Sequence, residues 1–169
     1  GYGTGDYTIE CWIFPTSASV TDQIIIDHRT DTSTQVPVLH LTSNLYLYLT
    51  VDSSPVITTT SAVTLNSWSH IAICRQGSNT RLYLNGNQVG STYIDSTNFV
   101  SSPLTIGTKY NFVNSFAGYI DDLRIEKGSA KYTGATYTVP SQILKSDNNT
   151  VLMLHFDGSN NALSLIHIS

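Results

Sequence analysis

Leu82-Tyr83-Leu84-Asn85-Gly86-Asn87-Gln88-Val89 decides the class of fold. Asn-Gly between two alternating runs calls for a type I′ turn, because both central positions need φ > 0 and these residues adopt it at least cost. The flanking runs alternate apolar and polar residues, the period of a strand with one buried face. Outward from this hairpin the pattern recurs. Leu45-Tyr46-Leu47-Tyr48-Leu49 puts leucines on one face and tyrosines on the other. Further strand-like runs closed by turn residues are read at 7–14, 23–28, 38–42, 56–60, 69–75, 88–92, 104–107, 117–126 and 151–156. Pro15, Pro37, Pro55, Pro103 and Pro140 fall at run edges, where a missing N–H does no harm. No stretch carries sustained helical spacing. The expected fold is all-β, a two-sheet antiparallel jelly-roll sandwich.

Composition agrees. Of 169 residues, 40% are hydrophobic and only 12% charged, so hydroxyls, amides and ten tyrosines take the place of ions on the surface. Thr, Val, Ile and Tyr suit a pleated, half-buried surface. The length suits one domain. A net charge of −4 with eight scattered Lys and Arg leaves no basic stripe for nucleic acid or for an anionic membrane surface. No window approaches the roughly 18 apolar residues of a spanning helix. Strand parity puts Cys11 with Ile9 and Ile13, and Cys74 opposite Ile71 and Ile73. The two thiols are therefore expected to be unbridged, with Cys11 the more buried.

Four motifs, in order, resemble laminin-G-like domains. Asp6-Tyr-Thr-Ile-Glu-Cys-Trp-Ile13 is similar to their "D-[FY]-T-I-E-x-W-[IV]" strand, and Ser67-Trp-Ser-His-Ile-Ala72 to their "W-x-H-[IV]-A" strand. The Asn-Gly hairpin follows, and Leu104-Thr-Ile-Gly107 with Phe116-Ala-Gly-Tyr-Ile-Asp-Asp-Leu-Arg-Ile125 completes the set. The resemblance implies a concanavalin A-like sandwich. Lys127-Gly-Ser-Ala-Lys-Tyr-Thr-Gly134 further resembles the version in tailed-phage tail-fibre and structural proteins, which implies an extracellular or virion-associated setting. In that version Leu-Leu-His-Phe-Asp-Gly opens the domain; here Leu152-Met-Leu-His-Phe-Asp-Gly158 stands at the far end. The expected organisation is a domain over 1–146 lacking its N-terminal strands, then 147–162 as the start of a second copy or a closing strand. Residues 163–169 resemble a translated sequencing adapter and are set aside as a non-native tail. The segment 151–156 is expected to dock beside 117–126, with Leu152 and Leu154 facing one side and Val151, Met153 and His155 the other. Pentraxins share the fold, but their bridging cysteines would fall on Glu10 and Ala72, so that bridge is not carried over.

Chemistry is sparse. Retaining glucanases of this superfamily need two carboxylates about 5 Å apart on one strand, and the chain's only glutamates are Glu10 and Glu126. Parity places Asp121 with Leu123 and Ile125, leaving Asp122, Arg124 and Glu126 as an outward solvated ladder. No enzyme is expected. No cofactor is required, although Asp27, Asp31, Asp121 and Asp157 are the carboxylates calcium would use, since it takes six to eight oxygens. Carbohydrate binding is the expected function, with a cell-surface glycan as partner; the alternative is a structural spacer held by other virion or surface proteins. Sugars stack C–H faces on aromatic rings and hydrogen-bond through hydroxyls. Two places offer this: an outward strand face with His40, Tyr46, Tyr48, Arg81 and Tyr83, and the loop holding Tyr110, Asn111, Phe112 and Asn114.

Overall fold

The computed structural model describes residues 1–157, and the tail at 163–169 lies outside the described residues. Eleven strands and no helix form there. In chain order they are β1 (Tyr7–Pro15), β2 (Gln23–Asp27), β3 (Val38–Leu41), β4 (Tyr46–Val51), β5 (Ser54–Ala62), β6 (Ser69–Gln76), β7 (Asn79–Leu84), β8 (Asn87–Ile94), β9 (Thr105–Ile106), β10 (Gly118–Lys127) and β11 (Thr150–Leu154). They make two antiparallel sheets, β11-β10-β1-β6-β7-β8 and β5-β4-β3-β2-β9. The Asn-Gly hairpin forms as read: Asn85 and Gly86 both have positive φ, and Leu82 pairs with Val89.

The core lies between the sheets and is built by alternation. Ile9, Cys11 and Ile13 of β1, Ile71 and Ile73 of β6, and Leu123 and Ile125 of β10 meet Ile25, Leu39, Leu41, Leu47 and Leu49 of the other sheet. Fully burying such a side chain contributes about 1.5–3 kcal/mol. At one edge Arg75 is fully buried, with its guanidinium 5.0 Å from the Tyr7 ring and 4.8 Å from the Phe99 ring. It donates to the carbonyls of Gly3, Gly5 and Thr97, tying the first residues to the sandwich. Thr150–Leu154 docks antiparallel to β10, with Leu152 opposite Ile125 and Leu154 opposite Leu123. Leu152 and Leu154 share a side as expected, and that side is the core. Val151 also packs on the core rather than facing outward with Met153, because the register shifts between Ile125 and Glu126.

The outer face of the six-stranded sheet departs from expectation. A strap over residues 128–149 crosses it, and Ala130, Tyr132 and Tyr137 pack on Ala72, Cys74 and Tyr83. Tyr132 and Tyr137 stack at 3.6 Å between centroids. Cys74 is consequently as buried as Cys11, and both are free thiols. The anticipated solvated ladder is buried too: Asp122, Arg124 and Glu126 all lie under the strap. Parity also fails at Asp121. Glu10 pairs with Arg124 but Trp12 with Asp121, so Asp122 and Leu123 together oppose Cys11, and Asp122 takes φ 46°. This bulge turns Asp121 to the outer face.

The strap is held by charge. Glu10 Oε1 accepts from Nε of Arg124 at 2.8 Å and also from its Nη2, while Glu10 Oε2 accepts the Tyr132 hydroxyl at 2.7 Å. Arg124 Nη1 donates to the Lys145 carbonyl at 2.9 Å. Burial opposes ionisation of Glu10, but hydrogen bonds from His70, Arg124 and Tyr132 outweigh it and hold the carboxyl below its ordinary value. Glu126 is pushed up by burial, which Lys131 and Arg124 only partly offset.

Two outcomes follow from this packing. Burial pushes the Cys74 thiol up to about 12 and Cys11 higher still. A thiol reagent should therefore label neither cysteine in the native protein and two per chain in denaturant; one fast native equivalent would contradict the strap. Burial also pushes His28, bonded to the Tyr2 hydroxyl at 2.7 Å, down to about 4 from 6.5. A depressed histidine stabilises fully above its unfolded value and loses that contribution as pH falls through the folded one. Urea unfolding from pH 7 to pH 4 should therefore cost the native protein about 2–3 kcal/mol more than it costs His28→Gln.

Candidate functional site

The aromatic face read from the sequence divides between the two sheets. Tyr46, Tyr48 and His40 stand on the outer face of the five-stranded sheet, whereas Arg81 and Tyr83 belong to β7 of the other. Tyr83 has 0% exposure: its hydroxyl donates to the carbonyls of Tyr132 and Gly134 beneath the strap. It is a packing residue, and Arg81 sits half-buried on the same strand. His40 is buried against Tyr48 at 5.7 Å, and burial keeps its imidazole below the ordinary value.

The loop carrying Tyr110, Asn111, Phe112 and Asn114 folds over that same face. Asn114 and His40 line one shallow depression of about 130 Å³ with Asp22, Arg29 and Lys109. Tyr110 is engaged locally, its ring under Arg29 at 5.6 Å and its N–H donating to Asp27. Asn111 and Phe112 project into solvent, Phe112 at 78% exposure. The carboxylates named for calcium are apart. Asp27 clasps Arg29 through Nε and Nη2, both at 2.9 Å, and Asp31 caps a turn by accepting from Ser33 and Thr34. Asp121 lies on β10 and Asp157 is exposed beyond β11. No group of three or more His, Cys, Asp or Glu that could hold a metal occurs among the described residues.

A larger site lies on the outer face of the six-stranded sheet, where the strap stops short. Trp12 and Phe14 of β1, Trp68 just before β6, and Tyr119 and Asp121 of β10 all point outward there. Phe14 meets Trp68 at 5.4 Å and Tyr119 at 5.9 Å, making one continuous aromatic surface. Trp68 is 44% exposed and Tyr119 64%. Trp12, Trp68, Asp121, Asp122 and strap residues 140–143 enclose a depression of about 510 Å³. A second, of about 440 Å³, continues past Trp68 and Asp121 to Tyr119, Phe116 and Gly107.

Geometry follows from the bulge and the strap together. The bulge turns Asp121 outward; its Oδ1 accepts the N–H groups of Asp122 and Phe156, and its Oδ2 has no hydrogen-bond partner among the described residues. Asp122 holds the wall, accepting the Leu144 N–H at 3.3 Å and pairing with His155. The indole N–H groups of Trp12 and Trp68 and the Gln142 amide likewise make no hydrogen bond among the described residues. Gly118 lets β10 start close to β1, since a Cβ there would stand 2.2 Å from the Phe14 carbonyl oxygen. Glu10 and Glu126, by contrast, have fully buried side chains and share Arg124. Neither carboxylate is exposed to solvent.

Sequence reasoning missed this site. Trp12 and Trp68 were read as fold markers, although parity with Glu10 and His70 already put them on the outer face. The strap that makes a groove of them has no local signal.

The chain belongs to the concanavalin A-like lectin/glucanases superfamily, as a laminin-G-type domain: residues 2–131 match that family's model. No curated protein sequence matches it. Among solved structures it is similar to a protein from Bacteroides ovatus proposed to bind carbohydrate, with 20% identity over 94% of this chain and a TM-score of 0.71. The chain spans 47% of that protein's length. It is also similar to domain 4 of an extracellular arabinanase from Geobacillus stearothermophilus, in complex with arabinotriose (17% identity, 75% of this chain and 63% of that one, TM-score 0.58). Mouse laminin α1 domains LG4-5 align at 16% identity over 84% of this chain and 43% of theirs, with a TM-score of 0.57. At these identities the likeness establishes the fold alone. No helix of the described residues is long and apolar enough to cross a membrane.

The division between packing and exposed aromatics is measurable. Tyr83→Ala should lower unfolding stability by about 3 kcal/mol, and Trp68→Ala by less than about 1 kcal/mol, both read by chemical denaturation. Equal losses would put Trp68 in the packed interior.

Proposed function

We propose that this domain is a non-catalytic module that recognises glycan, and that the Trp12–Trp68–Asp121 groove is where it does so. One observation carries the reading: a continuous surface of partly exposed aromatic rings stands beside hydrogen-bonding groups that have no partner among the described residues. Exposed rings are costly to leave in water unless a partner covers them, and sugar C–H faces are such partners. Unpaired indole N–H, amide and carboxylate groups match sugar hydroxyls, which both donate and accept. Binding rather than cleavage is supported by the burial of both glutamates. The sugar-binding descriptions of the Bacteroides and Geobacillus neighbours support the same class of ligand. An extracellular or virion setting, as the tail-fibre resemblance implies, would place the domain in reach of cell-surface glycans.

The test is a glycan array followed by titration of the best ligand. Trp68→Ala should weaken binding about tenfold or more, as truncating a central aromatic anchor does, and Asp121→Asn should weaken it by a smaller factor. An array without a single binder, or a binder indifferent to both substitutions, would remove this site from consideration.

A further inference from the structure

The groove has two lobes, and their arrangement says which part of a glycan it suits. One lobe lies between Trp12 and strap residues 141–143 and the other between Tyr119 and Gly107; Trp68 and Asp121 line both. Each lies within the range of about 300–1,000 Å³ typical of small-molecule sites. Both open to solvent and adjoin through Trp68 and Asp121, so that neither lobe closes off the other among the described residues. A site for a chain end needs a closed end that stops the chain.

Charge narrows the ligand further. No Lys or Arg lines either lobe, whereas Asp121 and Asp122 do. Asp122 is paired with His155, but Asp121 carries an uncompensated charge at the junction, in a chain of net charge −4. A carboxylated or sulfated sugar would meet like charge there and gain no cationic partner. A neutral hydroxyl would donate to the free Asp121 Oδ2 through a charge-assisted bond.

Resting on the glycan-binding reading above, we infer that the groove takes an internal stretch of a linear, neutral glycan. One unit lies with its C–H face on Trp68 and a hydroxyl on Asp121. Its neighbours run along Trp12 and Gln142 in one direction and along Tyr119 in the other. Both flanks add contact area, so affinity grows with chain length until the two lobes are filled.

Calorimetric titration of the full chain tests this, using xylo-, manno-, cello- and arabino-oligosaccharides from mono- to hexasaccharide, and oligogalacturonates of the same lengths. At least one neutral series should tighten about tenfold or more between disaccharide and tetrasaccharide, while the galacturonates stay weak. Tyr119→Ala and Gln142→Ala, on opposite flanks and both at the surface, should each reduce the gain with length, and Trp68→Ala should weaken every length. Thermal melts confirm that each variant is folded. A neutral sugar bound through Trp68 with the same Kd at every length would leave glycan recognition standing and defeat the two-lobe inference. Preference for galacturonate would defeat the neutral class. Absence of binding to every series and to the array would defeat both readings.

Discussion

The buried Glu10–Arg124 pair is the constraint around which the outer half of the molecule is arranged. Two charged side chains on adjacent strands, β1 and β10, sit on a sheet face that would ordinarily be wet. Once the strap covers them, each must be satisfied from within, because an unpaired buried ion is strongly unfavourable. Tyr132 and His70 complete the carboxylate, and the Lys145 carbonyl completes the guanidinium. These bonds fix the strap's path at two places along its length. Tyr137 and Ala135 add backbone bonds to the tip of the Asn-Gly hairpin, where Gly86 has no side chain to obstruct them. The domain thus has two interiors: an apolar one between the sheets and a polar one between a sheet and its strap.

The groove is a by-product of where this second interior ends. The strap covers Glu10, His70 and Tyr83, yet leaves Trp12 and Trp68 at its margin with the 140–143 segment as a wall. Leu144 and Lys145 are anchored by Asp122 and Arg124, so that wall is positioned by the same residues that close the polar interior. The bulge at Asp122 contributes twice. It turns the Asp122 carboxylate toward the strap and His155, and it brings Asp121 out between the two lobes. One local irregularity in β10 thereby separates a structural carboxylate from one available to a ligand.

A sandwich of this kind can host hydrolysis when two acids share an open face. Here the glutamates were spent on holding the strap, and the open groove has aromatic rings with a lone free aspartate. On the proposed reading, that distribution serves to hold a sugar and not to cleave it.

How much was legible in the sequence depended on the range of the interaction. All eleven strands were readable, because alternation and turn residues are local: the leucine faces of 45–49 and the Asn85-Gly86 turn follow from period and from turn chemistry, whereas the docking of Leu152 and Leu154 beside β10 was legible only through the family resemblance of that segment. The candidate site was legible only in part. Parity alone told which residues left the core, but it could not tell whether they met water or another layer of chain. Cys74, Tyr83, Arg124 and Glu126 were read as outward, and they are outward from the apolar core, yet the strap buries them. His40 and Tyr83 were placed together although they belong to different sheets, because strand pairing is non-local and period does not reveal which sheet a strand joins. Asp121 was misplaced because one extra residue in a bulge reverses every facing beyond it. The sequence by itself determined the class of fold, since that rests on contacts between near neighbours in the chain. The strap, the bulge and the groove between them were decided only by tertiary structure, since each depends on residues brought together from more than a hundred positions apart.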